Sequence, residues 1–189
     1  MMTNEQMIIE QNKKLIARYP FLLPRNVWSD ELPEDYDYSY ITGIGELPPG
    51  WEKLFLQMCE DLRQPLIDAG QIETFRFTQI KEKYNRMECY NNGSTEEVLD
   101  IIDKYTMMAR LVCTNCGKPA VYETYGYVAS YCDDCFKDFV RHEKGAWIKF
   151  KPEYTVRWWQ GDGWEERIVS FADEWNRYVG SLGLKGVDY

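Results

Sequence analysis

Histidine is all but missing from this sequence: His142 is the one imidazole in 189 residues. Any catalytic or metal site that needs two is therefore excluded. Cations are the minority charge, 22 Lys and Arg against 31 Asp and Glu, for a formal net charge of −9. That balance opposes wholesale wrapping of nucleic acid, while a local basic face stays open. No stretch approaches the ~18 apolar residues of a membrane-spanning helix. The opening Met1-Met2-Thr3-Asn4-Glu5 has neither the basic start nor the apolar run of a secretory signal. Also lacking are a glycine-rich phosphate loop ending in Lys-Ser/Thr, a Gly-x-Ser-x-Gly elbow and a His–Cys pair in a convincing context. A nuclease built on histidine and metal is out. A Mg2+ site made of carboxylates alone stays open, because scattered Asp and Glu say nothing until a fold assembles them.

What is present suffices for a core. Hydrophobic residues make up 44% of the chain and aromatic ones 15%, which excludes general disorder and fits one domain, or a small one with an appendage. The patterning reads as an α+β fold in three parts. Residues 1–112 are helical with a small β-hairpin, 113–135 form a central metal-binding ribbon, and 136–189 form an aromatic, basic β-hairpin with a short helix. Thr3 and Gln6 have capping-box spacing, and Met7, Ile8, Leu15 and Ile16 give a helix over 3–18 an apolar face, ended by Tyr19-Pro20. Trp51, Leu54, Phe55, Met58, Leu62 and Leu66 recur every three or four residues, the stripe of a second buried helix. Pro65 should kink or divide that helix. Residues 74–78 alternate as a strand and 86–90 return as its partner. Ser94-Thr95-Glu96-Glu97 reads as a second capping box, opening a helix that carries Val98, Ile101, Ile102, Tyr105, Met108 and Leu111. Beyond the ribbon, 147–150, 154–159 and 166–171 look extended, with a turn at Gln160-Gly161-Asp162-Gly163 and a short helix over 173–178.

Six cysteines are present. In the reducing cytoplasm expected here, clustered thiols mean metal more often than disulfide. Cys59 adjoins the buried stripe and reads as a small hydrophobe. Cys113-Thr114-Asn115-Cys116 and Cys132-Asp133-Asp134-Cys135 are two CxxC pairs, and residues 119–131 between them are long enough for one hairpin turning at Gly126. Each pair, on a tight turn, aims two sulfurs at one ion, and Gly117 lets the first turn fold back. The hairpin sets the second pair beside the first. The expectation is a zinc ribbon, with one Zn2+ held by Cys113, Cys116, Cys132 and Cys135. Four protein sulfurs saturate a tetrahedral ion, so no position remains for an activated water and the metal is structural. Its binding folds a segment too small to fold alone. His142 as a replacement ligand is the weaker option.

Two surfaces are candidates for contact. Residues 30–38 hold Asp30, Glu31, Glu34, Asp35 and Asp37 among tyrosines, with no cation between them. They form either a solvated face or a surface for a basic partner. Residues 136–159 interleave Lys144, Lys149, Lys151 and Arg157 with Trp158, Trp159 and other aromatics. Such an order can stack bases and hold a phosphate backbone. The alternative is an amphipathic hairpin with its aromatics buried and its lysines solvated.

Several segments together resemble a family of small, mostly uncharacterised zinc-ribbon proteins encoded by phages and prophages of gut-type bacteria. They are 15–26 (LIARYPFLLPRN), 33–40 (PEDYDYSY), 47–62 (LPPGWEKLFLQMCEDL), 79–90 (QIKEKYNRMECY) and the ribbon, closing on Tyr131-Cys132-Asp133-Asp134-Cys135. The likeness covers 15–135, and Gln79-Ile80-Lys81-Glu82-Lys83 is its most specific mark. Asn85 stands where the family pattern has glycine and Tyr127 where it has tryptophan; neither change touches the ligands. The 136–189 tail is less shared. The resemblance implies a mobile-element protein at work in the cytoplasm of an infected or lysogenic bacterium. Small acidic phage proteins with no catalytic signature act by binding host machinery, inhibitors of CRISPR nucleases foremost. Such targets have basic nucleic-acid channels that an acidic protein finds by electrostatic steering. The expectation is a non-enzymatic anti-defence protein that binds and inhibits a host nuclease complex of the Cas9 type, through either its acidic loop (Asp30, Glu31, Glu34, Asp35, Asp37) or its aromatic tail. The alternative is a nucleic-acid-binding module using 137–159; an enzyme with a carboxylate site is a weaker third.

Overall fold

The structure, a computed structural model, describes residues 2–26, 28–124, 128–142, 147–149, 155–160, 163–168 and 172–183. Helix α1 (Asn4–Arg18) starts at Thr3, whose hydroxyl accepts from the Gln6 N–H at 3.2 Å while its own N–H donates to Gln6 Oε1 at 3.0 Å. This reciprocal pair is the expected capping box. Pro20 then turns the chain into a 3-10 turn (Pro20–Leu22) that buries Phe21 and Leu22. Leu15 and Ile16 pack against the core, but Met7 and Ile8 are half exposed. The core reaches only the second half of this helix.

A second 3-10 turn (Pro49–Trp51) leads into α2 (Glu52–Asp68). The apolar stripe is buried as its spacing predicts: Trp51, Leu54, Phe55, Met58, Leu62 and Leu66 are shut off from solvent. The helix runs undivided through Pro65. In the last turn a proline forfeits one backbone bond and leaves the preceding ladder intact.

Strands β1 (Phe77–Glu82) and β2 (Met87–Asn91) pair antiparallel. The first strand starts at Phe77 and not at Thr74, because the N–H groups of Thr74 and Phe75 turn back to the Gln71 carbonyl at 3.0 and 2.8 Å. Lys83 and Arg86 exchange backbone bonds at 2.9 and 3.1 Å around Tyr84 and Asn85, which have φ of 52° and 60°. A two-residue turn of this hand needs positive φ at both positions. Asn85, where glycine is expected, is thus a place where the left-handed backbone is required, and asparagine is among the residues that tolerate it.

Helix α3 (Glu96–Ala109) is capped by Thr95, whose hydroxyl accepts from the Val98 N–H at 3.4 Å. With valine at that third position the reciprocal half of the expected capping box has no side chain to make it. Helices α2 and α3, the hairpin residues Phe77, Ile80 and Met87, and Phe21, Leu22 and Phe75 enclose the core. Phe21, Phe75 and Phe77 meet edge to face, their centroids 5.2 to 5.9 Å apart, the arrangement that ring quadrupoles favour.

Strands β3 (Tyr122–Thr124) and β4 (Ser130–Tyr131) form the expected hairpin, whose turn at Gly126 lies outside the described residues. Helix α4 (Asp133–His142) follows, and β5 (Trp147–Lys149) pairs with the other side of β3, giving the order β4-β3-β5. Strands β6 (Thr155–Gln160) and β7 (Gly163–Ile168) make the C-terminal hairpin, with Gln160 opposite Gly163. Gly161 and Asp162 of the expected turn lie outside the described residues. Helix α5 (Ala172–Ser181) buries Trp175, Tyr178 and Val179 in the main core. Among the described residues no helix is long and apolar enough to cross a membrane.

Candidate metal centre

The first cysteine pair lies on a knuckle just past α3. Val112 bridges Pro119, the Cys113 N–H donates to Lys118 O at 2.8 Å, and the Gly117 N–H donates to Cys113 O at 3.0 Å. Gly117 closes this turn at φ 77°, a conformation glycine adopts without steric cost. A Cβ there would also stand 2.9 Å from Gly50 O. Gly50 is tighter still: its own Cβ would overlap Cys113 O and come within 2.7 Å of Gly117 N. The Pro49–Trp51 turn and the knuckle are therefore in backbone contact. Gly50 N–H to Thr114 O at 2.8 Å and Trp51 Nε1–H to Val112 O at 3.2 Å seal it.

The second pair is delivered by a helix. Cys132 immediately precedes α4 and Cys135 sits in its first turn, and Phe136 N–H to Cys132 O at 2.9 Å joins the two. The sequence spacing predicts a second tight turn here, but Asp133 and Asp134 suit the positive end of a helix, and helical i, i+3 spacing also sets both cysteines on one side. Phe136 stacks on Tyr122 of β3, with centroids 4.0 Å apart and planes at 14°. Lys118 of the knuckle reaches Asp134 at 3.0 Å. Knuckle, hairpin and helix thus hold one another.

The four sulfurs lie within 4.8 Å of one another, and those of Cys116 and Cys132 are 3.5 Å apart. Sulfurs ~2.3 Å from a common tetrahedral ion stand ~3.8 Å from each other, whereas a disulfide closes to ~2 Å. All four are free thiols, and their cluster fits one tetrahedral metal ion. Burial pushes the Cys113 and Cys135 thiols up. Burial acts the same way on Cys116, but the Lys118 N–H and the neighbouring cysteines outweigh it and hold that thiol below its ordinary value. A divalent cation supplies the counter-charge that buried thiolates lack. Among the described residues no other group of three or more His, Cys, Asp or Glu side chains converges in this way.

A polar web joins the knuckle to its neighbours, buried at Asn85, Thr114, Glu123 and Ser130 and exposed at Arg110. The Thr114 N–H and hydroxyl both donate to Ser130 O, at 2.9 and 3.1 Å, and the Ser130 hydroxyl donates to Arg110 O at 2.8 Å. Arg110 grips Glu123 with two nitrogens at 2.9 and 3.0 Å. Asn85 Nδ2 donates to Ser130 Oγ at 2.6 Å and to Glu123 Oε2 at 3.2 Å. The first hairpin's turn, the end of α3 and strands β3 and β4 are joined there. On the other side, the Tyr178 hydroxyl of α5 donates to Gly117 O at 2.6 Å.

The other sequence-derived candidates do not gather at this centre. Asp30, Glu31, Glu34, Asp35 and Asp37 are exposed. Asp30 meets cations from outside its segment, Arg76 at 3.5 Å and Arg25 at 3.9 Å. Hydrogen bonds from Ser39 hold the Asp37 carboxyl below the usual range. Lys149 lies on β5, and Arg157, Trp158 and Trp159 lie on β6 opposite Glu166, Glu165 and Trp164. Lys144 and Lys151 fall outside the described residues. Cys59 and Cys89 stay apart from the four-cysteine cluster, and burial pushes the first thiol well up and the second to about 12. Sequence reasoning missed Gly50, whose only signal is the Pro48-Pro49-Gly50-Trp51 run, and Trp28, whose polar neighbours Asn26, Ser29 and Asp30 hint at exposure. Compared with protein-family models, curated proteins and solved structures, the chain finds no match in any of the three.

Proposed function

We propose that this chain is a non-enzymatic, phage-derived anti-defence protein that blocks a host nuclease complex of the Cas9 type, and that its four-cysteine centre holds a structural Zn2+. The observation that carries the metal half of this reading is the convergence of four sulfurs within 4.8 Å of one another. Tetrahedral sulfur sites suit zinc or iron–sulfur chemistry. A redox-silent ion is the better fit to a knuckle whose close partners, Gly50, Trp51 and Tyr178, are packing and backbone contacts. Four sulfurs leave zinc no open position, so the ion supports the fold and activates no water.

Function then rests on a surface. The exposed Glu31, Glu34, Asp35 and Asp37, in a chain of net charge −9, complement a basic channel and would speed encounter with it. The phage resemblance supplies the class of target. Adding the chain to a purified, guide-loaded Cas9-type effector should give a complex on gel filtration and stop DNA cleavage. Elemental analysis should find about one zinc per chain. Full-rate cleavage in a saturating excess of the chain overturns the inhibitor, and iron, or no metal, after chelator-free purification overturns the zinc. DNA or RNA binding by the chain alone, steeply salt-dependent and lost when Lys149, Lys151 and Arg157 become Ala, would favour the nucleic-acid reading instead.

A further inference from the structure

Trp28 is 94% exposed, whereas Trp51 and Trp175 are 0% and 1% exposed. The described residues around it hydrogen-bond to one another. Asn26 Oδ1 accepts from the N–H groups of Trp28 and Ser29 at 2.8 and 3.2 Å. The Asn26 N–H donates to Glu31 O and its carbonyl accepts from the Asp30 N–H, both at 2.8 Å. Arg25 adds a bond to Asp30 O at 2.6 Å, and Arg76 reaches the Asp30 carboxylate at 3.5 Å. The backbone around the indole is therefore tied by local hydrogen bonds and by Arg25, and Arg76 reaches it from outside the loop.

Tryptophan is among the residue types enriched at the energetic centres of protein interfaces. A loop ordered in advance also loses less entropy on binding. Its surroundings select the partner. Glu31, Glu34, Asp35 and Asp37 are exposed close by in the chain, and Leu32 adds exposed apolar surface. These carboxylates repel phosphate, so the surface suits a basic protein face and not a nucleic acid. We propose that Trp28 is the apolar anchor of a protein-docking surface rimmed by Glu31, Glu34, Asp35 and Asp37. Its occupant is a protein face with an apolar cleft ringed by lysine and arginine. The proposal rests on the binding role argued above and assigns that role a centre.

The test uses two probes on the full-length, metal-loaded chain. The first is the purified guide-loaded Cas9-type effector. Trp28→Ala should raise its Kd at least tenfold with an unchanged circular dichroism spectrum and metal content. The combined Glu31→Gln, Glu34→Gln, Asp35→Asn, Asp37→Asn variant should slow association and flatten its salt dependence. Wild-type affinity in Trp28→Ala overturns the anchor while leaving the inhibitor standing. If the wild-type chain does not bind the effector, the inhibitor reading fails and the second probe decides the surface. That probe is an arginine-rich peptide bearing a leucine cluster, compared with its serine counterpart. Preference for the leucine peptide, abolished by Trp28→Ala, supports the docking surface. No preference, or a preference that survives Trp28→Ala, overturns it. Duplex DNA bound by the wild type and lost in Trp28→Ala also overturns it, because the partner would then be a nucleic acid.

Discussion

The Tyr178 hydroxyl donates to the Gly117 carbonyl at 2.6 Å, tying α5 to the turn that carries the first two cysteines. Burial pushes this phenol up, so it remains a donor well into the alkaline range. Tyr178→Phe keeps the ring and removes the donor, leaving a buried carbonyl short of its partner. The expected loss is about 1–2 kcal/mol, read from the urea midpoint. A chelator should also extract the metal faster from this variant. In metal-stripped protein the gap between wild type and variant should shrink, because the knuckle no longer holds the carbonyl in place.

Two glycines should respond to alanine with opposite signs. Gly50→Ala forces a methyl into the backbone of Cys113 and Gly117; backbone cannot swing aside as a side chain can, so a loss of about 3 kcal/mol is expected. Gly180 lies in α5 with nothing within 4 Å of its added Cβ. Gly180→Ala should stabilise by about 0.5–1 kcal/mol through helix propensity and a stiffer unfolded chain. Thermal melts of the two variants check both signs.

Metal content should separate the cysteines by position. Cys116→Ser should abolish stoichiometric metal and unfold 113–135, since coordination energy is folding energy there. Cys89→Ala removes a thiol outside the cluster and should leave the metal-to-protein ratio unchanged. Atomic absorption on both proteins is the measurement.

Acid should act through Glu60. Hydrogen bonds from Arg18 and Tyr19, at 2.5 to 2.8 Å, hold its carboxyl below the ordinary value of 4.5. A carboxyl depressed in the folded state binds protons more readily when unfolded. Its stabilisation is therefore complete above the unfolded value and fades as the pH falls through the folded one. Glu60→Gln should cost stability at pH 7, about 0.5–1 kcal/mol for so exposed a pair. The difference should narrow as the pH falls below the ordinary value of 4.5 and close once the wild-type carboxyl has taken up its proton. Urea unfolding at pH 7, 5 and 3 tests this.

What the sequence reveals and what it conceals differ in physical range. The α2 stripe and the Thr3–Gln6 cap are legible because periodicity and capping are properties of a few neighbouring residues. The four-cysteine cluster is legible because two CxxC pairs are a coordination requirement written in spacing. The helix that opens at Cys132 is not. Asp133 and Asp134 suit a turn as well as a first helical turn, and the contact that fixes α4 on the hairpin, Phe136 on Tyr122, is tertiary. Gly50 is hidden for the same reason: its close neighbours are Cys113, Thr114 and Gly117, distant in the chain. At Asn85 the left-handed backbone agrees with the expected glycine, but the bonds to Glu123 and Ser130 depend on strands that only the fold brings together.

The partners of the knuckle are scattered along the chain, Gly50 well before it and Tyr178 61 residues after Gly117. During synthesis, all four thiols leave the ribosome ahead of the phenol that caps their turn. Were the cluster to bind an ion, the nascent chain would take it up while α5 is still being translated. The last helix would then arrive as a latch on a coordination sphere already complete, and cells starved of that metal would present it with nothing to close upon.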